Sequence, residues 1–370
     1  MTSSHCHAAL ACCGRGCTPS AACQQNSVHP LSAREALTAT AQPPNPELDQ
    51  LYQKAIEARD RADWWLAGCY LKSILRTRPA HRDASAFLQK LTTEHPQGKI
   101  AVAEGNNICL MDAWGDKREQ IETGRVVALS PSGRQIAFIR GNHLMVGPIN
   151  GEHQVVLKMD LRDQPPYEEA TLAWTPGEQG ILLPIDVFDD LIKDNLNQRE
   201  IGLLTLATKQ LRKIVSLEPL PDPWPQTRYL MSPTFDPTGE RLAYARYCPF
   251  GAGTIIVYHT RHGSRTEILQ GPHQIAWAPD GSLIAYGGRH GVYTMRPDGS
   301  NAKPLVDNDG MPLLDSRVTF VTWAPDGKKL LCAVDDAGMS TDLWVINLPS
   351  LEAFRIATFD WLKSPPSWAP

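Results

Sequence analysis

The sequence of 370 residues predicts a mainly β fold, a six-bladed β-propeller closed by its own C-terminal strand and preceded by a short α-helical hairpin. Three observations predict it: a recurring turn motif, a strand pattern that repeats with the motif, and complementary fragments at the two ends of the repeat array. The motif is clearest in Ile275-Ala276-Trp277-Ala278-Pro279-Asp280-Gly281, and Val321-Thr322-Trp323-Ala324-Pro325-Asp326-Gly327 is nearly a copy. Looser versions are Ala128-Leu129-Ser130-Pro131-Ser132-Gly133, Leu172-Ala173-Trp174-Thr175-Pro176-Gly177 and Thr234-Phe235-Asp236-Pro237-Thr238-Gly239, while Ser367-Trp368-Ala369-Pro370 is a truncated one. From Pro131 through Pro176, Pro237, Pro279 and Pro325 to Pro370 the spacings are 45, 61, 42, 46 and 45 residues, the period of a repeat architecture.

Each motif leads into further strand-like runs. After the turn comes an alternating segment such as Arg134–Ile139, Arg241–Ala245, Leu283–Tyr286 or Lys329–Val334, then a third such as Thr254–Tyr258 or Asp342–Ile346, and a more polar fourth ending at Val155–Leu157, Lys213–Val215 or Glu267–Leu269. Four antiparallel strands per unit of some 45 residues make a propeller blade. The first unit begins at the turn Pro96–Lys99 and lacks an opening strand, whereas Ser364–Pro370 is an opening strand with nothing after it. Together they make one blade shared by the termini, which removes two sheet edges that would invite aggregation. The count is then six.

Successive strand residues point to opposite faces. The column before the turn holds Leu129, Trp174, Phe235, Trp277, Trp323 and Trp368, and the column behind it holds Ala128, Ala173, Thr234, Ala276, Thr322 and Ser367. One face of each opening strand is therefore bulky and the other small, so the aromatic of one blade packs on the next. A stacking platform for carbohydrate or bases is the less favoured reading of this series.

Ahead of the repeats the period becomes helical. Leu48, Leu51, Tyr52, Ala55 and Ile56 share one face, and Trp64, Ala67, Leu71, Ile74 and Leu75 share another, with Arg61-Ala62-Asp63 as the turn between two helices. Pro79 stops the second helix, and Asp83 is placed to cap a third that carries Ala84, Phe87, Leu88 and Leu91. Residues 1–44 mix Ser, Thr, Ala, Cys, Gln and Pro without periodicity and read as a disordered Cys-rich leader. The expected domains are thus 1–44, 45–95 and 96–370.

Composition narrows the function classes. A net charge of -4 gives no global field for nucleic acid or an anionic membrane, and no apolar run is long enough to span a bilayer. Cys109 and Cys332 lie in strand-like runs as small buried hydrophobes, and a reduced body with no signal-peptide pattern points to the cytoplasm, with a periplasmic or surface-attached site if the true start lies elsewhere. No cofactor is expected. The minor readings are zinc held by Cys6, Cys12, Cys13, Cys17 and Cys23 in the leader, which lack paired C-x-x-C knuckles, and calcium on acidic loops, which lack an EF-hand pattern.

The array 96–370 resembles the TolB-like, WD-repeat-like propeller repeat on its aromatic, Ser/Ala-Pro-Asp-Gly and following strand; the closing Trp-Asp of true WD repeats is absent. The helical segment resembles a tetratricopeptide repeat in Leu51, Ala55, Trp64, Ala67, Leu71 and Pro79. The first resemblance implies a six-bladed ring that binds other proteins, sometimes as the regulatory part of a larger machine or peptidase, and it carries no active site over. The second implies a cap packed on its neighbour, or else a groove for a partner peptide.

In a propeller the turns between first and second and between third and fourth strands lie on one face, and here they are short. The opposite face receives the long irregular connections, the usual seats of binding on a rigid scaffold. Their acidic and aromatic residues Asp163, Tyr167, Asp189, Asp190, Asp194, Trp224, Asp309 and Asp335 are the candidate partner-binding set. Arg125, His273 and Arg317, near strand entries, are the funnel candidates. No nucleophile elbow, zinc-protease helix or phosphate loop is present. The sequence therefore reads as a monomeric, non-enzymatic interaction scaffold that binds a protein or peptide, against the alternative of a propeller enzyme or small-ligand sensor working in the central funnel.

Overall fold

A computed structural model describes residues 45–159, 171–187, 198–216, 228–247, 253–271, 274–288, 291–305, 317–336, 340–360, 362 and 364–370. The leader with its cysteines lies outside these residues. From Glu47 to Pro370 the chain forms one compact unit.

Three helices come first: α1 (Pro46–Asp60), α2 (Trp64–Thr77) and α3 (Ala84–Glu94). Pro46 opens α1 where a missing N–H costs nothing, and Glu47 and Asp49 stand in its first turn, where acids suit the helix dipole. The turn to α2 is as expected, with Ala62 in the left-handed region at φ 59°. Asp63 caps α2 by accepting from the Leu66 amide at 3.2 Å. Asp83 occupies the N-cap position of α3 but makes no capping bond, contrary to expectation. Its carboxylate instead accepts the Tyr52 hydroxyl, so the group expected to cap α3 ties α3 to α1.

The strands then form six blades. Blade 1 contains β1 (Lys99–Glu104), β2 (Asn107–Asp112) and β3 (Glu119–Thr123), and blade 2 contains β4 (Val127–Leu129), β5 (Gln135–Arg140), β6 (His143–Pro148) and β7 (Gln154–Lys158). Blade 3 has β8 (Ala173–Trp174), β9 (Gly180–Val187), β10 (Gln198–Thr205) and β11 (Gln210–Val215), and blade 4 has β12 (Arg228–Phe235), β13 (Arg241–Tyr247), β14 (Gly253–His259) and β15 (Arg265–Gly271). Blade 5 has β16 (Ile275–Trp277), β17 (Ile284–Gly288), β18 (Gly291–Met295) and β19 (Lys303–Pro304), and blade 6 has β20 (Arg317–Trp323), β21 (Lys329–Asp336), β22 (Ser340–Asn347) and β23 (Ala353–Phe359). The last strand, β24 (Ser367–Ala369), pairs antiparallel with β1 through Lys99↔Ala369, Ile100↔Trp368 and Ala101↔Ser367 and completes blade 1. The closure expected from the two fragments is present.

One feature of the sheets departs from six independent blades. Blades 3 and 4 join into an eight-stranded sheet because β10 runs parallel to β12 over Gln198↔Arg228 and Arg199↔Tyr229. The unusual 61-residue spacing between Pro176 and Pro237 belongs to this pair, and its extra length extends both strands until their ends meet.

The bulky column packs across the blade seams, against the preceding blade rather than the next. Trp174, Trp277, Trp323 and Trp368 are all buried, each in the apolar cluster of the preceding blade. The Trp174 indole N–H donates to Ala128 O and that of Trp323 to Ala276 O, both at 3.1 Å and both across a blade seam. The acceptor in each case is the small residue of the neighbouring column, whose size lets the indole reach its carbonyl. A ligand-stacking platform is thereby ruled out for these rings. In the tight turns Gly281 and Gly327 take φ 72° and 67°, conformations that cost a residue with a Cβ about 1 kcal/mol. In blade 3 the motif has slipped by one residue, so Glu178 holds the left-handed position at φ 58° and its carboxylate accepts the Ser132 amide of blade 2.

Candidate functional site

The two faces of the ring are furnished differently. On the short-turn side the helices dock over the seam between blades 6 and 1. Buried residues of α1, α2 and α3 share one continuous core with Ala113 and Trp114 of the β2–β3 hairpin, Ile356 and Phe359 of β23, and Trp368 of β24. Two tryptophans exchange bonds there: the Trp65 indole donates to Ala113 O at 2.9 Å, and the Trp114 indole donates to Trp65 O at 3.1 Å. Gly68 makes the approach possible, since a Cβ at that position would lie 2.5 Å from the Trp114 indole nitrogen. That contact accounts for a glycine in a helix interior, where it costs about 1 kcal/mol relative to alanine.

Polar contacts extend the docking to blade 6. Asn347 Nδ2 donates to Asp63 Oδ2 at 2.7 Å, so one carboxylate both caps α2 and binds the ring. The Tyr70 hydroxyl donates to Glu352 at 2.5 and 2.6 Å to its two oxygens. Burial raises the Tyr70 pKa, the Glu352 hydrogen bond raises it further, and the hydroxyl remains a donor across the physiological range. Lys72 Nζ closes the set, 2.6 Å from Trp114 O and 2.9 Å from Asp116.

Beside this junction is an open cavity of about 670 Å³. Its walls are Thr92 of α3, the Pro96–Lys99 turn, the β2–β3 hairpin with Trp114, Lys117 and Glu119, and the Ala324–Asp326 turn of blade 6. None of these residues stands out in the sequence as functional. The signals that were available are the indole of Trp114 in an otherwise polar hairpin and the glycine at 68 inside a helical period. A second hollow, of about 450 Å³, lies between α1 and α3 and is lined by Tyr52, Trp64, Phe87 and His95 among others; the Trp64 and His95 rings stack at 3.7 Å.

Of the expected binding and funnel residues, Asp163, Tyr167, Asp189, Asp190, Asp194, Trp224, Asp309 and His273 lie outside the described residues. Asp335 is within strand β21 rather than in a loop, and its Oδ1 accepts the Thr341 hydroxyl at 3.0 Å. Arg317 begins β20 directly opposite Asp335 in the register, so these are the two candidates that the structure brings together. Arg125 is held to its own blade: its guanidinium donates to Gly141 O at 3.2 Å in the β5–β6 turn. Gln274, next to His273, accepts the Ser232 hydroxyl of blade 4 at 2.6 Å.

Other chemistry is sparse among the described residues. No group of three or more His, Cys, Asp or Glu is placed to hold a metal there, and no helix is long and apolar enough to cross a membrane. Cys69, Cys109 and Cys332 are free and buried, and burial pushes the thiols of Cys69 and Cys332 well up, which leaves them protonated and unreactive.

The ring geometry has counterparts among solved structures. TolB from Acinetobacter baumannii superposes with a TM-score of 0.56 at 15% identity, over 78% of this chain and 71% of that one. The ring is a TolB-like propeller. A putative TolB from Agrobacterium tumefaciens superposes with a TM-score of 0.52 at 14% identity, over 74% of this chain and 98% of that one. No protein-family model and no curated protein matches the sequence. At these identities the TolB-like likeness is one of fold.

Proposed function

We propose that this TolB-like propeller is a non-enzymatic interaction scaffold that binds a protein or peptide on its long-loop face. The observation that carries the reading is the asymmetry of the ring. The short-turn side is fastened to its own helices at the closing seam through Trp65, Trp114, Tyr70 and Asp63. By the strand order of the sequence, the long irregular connections, rich in Asp163, Asp189, Asp190, Asp194 and Asp309, belong to the opposite side. Closed sheets of this kind are rigid, and loops that vary on a rigid scaffold are where propellers differ in what they bind. The acidic surplus favours a basic or polar segment and disfavours phosphate backbones.

The test is charge reversal in the full chain. Partners co-purified with the native protein are re-bound to the Asp189→Lys, Asp190→Lys, Asp194→Lys triple variant, and affinity should fall at least tenfold with a reduced association rate. Unchanged binding by that variant overturns the placement on the long-loop face. A turnover that His273→Ala abolishes would instead make the funnel alternative the correct one.

A further inference from the structure

The cavity beside the helix junction has the construction of a small-molecule site. Its volume of about 670 Å³ lies within the roughly 300 to 1,000 Å³ of ligand pockets. At about 30 Å³ per water-sized unit it holds on the order of 20 non-hydrogen atoms, which fits a small molecule. The floor is apolar: Met111, Trp114 and Ala324 are all buried in one cluster, while Leu110 packs on the other face of β2.

Most polar groups around this floor are already committed. The Trp114 indole N–H is taken by Trp65 O. The Asp112 carboxylate accepts the amides of Trp114 and Asp116 at 3.1 and 2.9 Å. Asp326 accepts the Lys328 amide at 2.9 Å and pairs with Lys329. Two cations remain, Lys99 at the start of β1 and Lys117 in the β2–β3 hairpin, both exposed and without an ion-pair partner among the described residues. Lys117 also holds φ 55°, a conformation that glycine or asparagine adopts at less cost.

We propose that this cavity binds a small amphiphile with one anionic head, its apolar body against Met111, Trp114 and Ala324 and its carboxylate held by Lys99 and Lys117. Charge selects the class. Two free ammonium groups suit a single carboxylate, since Asp112 and Asp326 are already engaged by backbone amides and Lys329, whereas a polyphosphate beside Glu119 carries more negative charge than two cations balance. The occupant would touch α3, blade 1 and blade 6 at once, so binding would stabilise the docked helices together with the ring. This site stands on the opposite side from the partner surface above and does not depend on it.

The experiment uses the full chain with decanoate as probe and decanol as its uncharged counterpart, read by calorimetry and by thermal melting. Decanoate should bind one per chain, raise Tm as its concentration rises, and bind at least tenfold tighter than decanol. The Lys99→Glu, Lys117→Glu double variant changes only exposed side chains; it should reduce decanoate affinity at least tenfold while leaving decanol unaffected. Lys158→Glu, on the outer strand of blade 2, serves as the charge control and should bind decanoate like the parent. No decanoate binding up to millimolar concentration, equal binding of decanoate and decanol, or decanoate binding insensitive to the double variant would each overturn the proposal.

Discussion

The seam between blades 5 and 6 and the seam between blades 6 and 1 are built on nearly the same inner strand, yet they are fastened in different ways. At the first, Trp323 of β20 buries its ring in blade 5 and sends its indole N–H across the seam to Ala276 O. At the second, Trp368 buries its ring against blade 6 in the same way, but its N–H goes to Gln97 O within its own blade, at 3.0 Å. The crossing bond that Trp174 and Trp323 supply at their seams is therefore not supplied here by the ladder. Helix α2 supplies it instead, reaching blade 1 through Trp65 and Trp114 and blade 6 through Asp63 and Tyr70. The one seam formed between distant parts of the chain is thus clamped from outside.

Removal of the strand that closes the ring should have the largest effect on the seam between blades 6 and 1. Deletion of residues 365–370 takes away Trp368, its packing and all three register pairs between β24 and β1. The blade-1 edge then stands open, and the loss should exceed that of any single substitution, several kcal/mol from the buried ring and its ladder together. Urea unfolding should show a large drop in midpoint. A truncated protein with an unaltered midpoint would mean that α2 alone holds the seam.

The clamp can be loosened without touching the ring. Gly68→Ala places a methyl group 2.5 Å from the Trp114 indole nitrogen, so either the indole or α2 must move. In an isolated helix the same change stabilises by about 1 kcal/mol, so a net loss isolates the docking contact. Trp114→Ala, which empties the contact altogether, should cost roughly 3 to 5 kcal/mol, as for other buried aromatic truncations. Both should increase hydrogen exchange in α1 to α3 more than in blades 2 to 5. A Gly68→Ala protein that is more stable than the parent would show that the helices are not clamped by this contact.

The unequal legibility of these two seams has a physical reason. Ring, blade count and closure were readable because each rests on local chemistry: a turn that needs glycine at Gly281 and Gly327, a strand period of two residues, and a small column beside a large one. The clamp rests on contacts between residues far apart in sequence, such as Tyr70 with Glu352, and nothing local distinguishes them. Asp83 shows the same limit on a small scale, since its position read correctly as an N-cap while its carboxylate went to Tyr52. The junction of β10 with β12 was visible only as an over-long repeat. For the candidate site, the sequence put Asp335 in a loop and Arg317 near a strand entry but did not make them cross-strand neighbours, and it gave no hint of the cavity at Lys99 and Lys117.

The subtlest difference lies within the ladder itself, between two copies of the motif that agree from aromatic to glycine. Trp323 has an acceptor for its N–H, whereas the buried Trp277 indole nitrogen has none. By the register of the repeat its acceptor would be the carbonyl of Thr234 in β12. That strand shifts register between Met231 and Thr234, with Ser232 at φ 50°, while β16, which serves Trp323, pairs without a shift. What Trp277 has instead is the Arg241 guanidinium 4.7 Å from its ring centroid, itself fixed by Asp236 at 2.9 Å. Replacing either tryptophan by phenylalanine removes a similar volume, and Phe235 shows that the column accepts a phenyl ring. The two changes differ in hydrogen bonding: Trp323→Phe removes the indole donor from Ala276 O, while Trp277→Phe removes a buried donor that had no acceptor. Trp323→Phe should therefore be the more destabilising by about 1 kcal/mol, partly offset by the weaker cation–π contact left at position 277. Parallel urea titrations of the two single variants measure that difference directly, and equal midpoints would show that the crossing bond does not hold the seams.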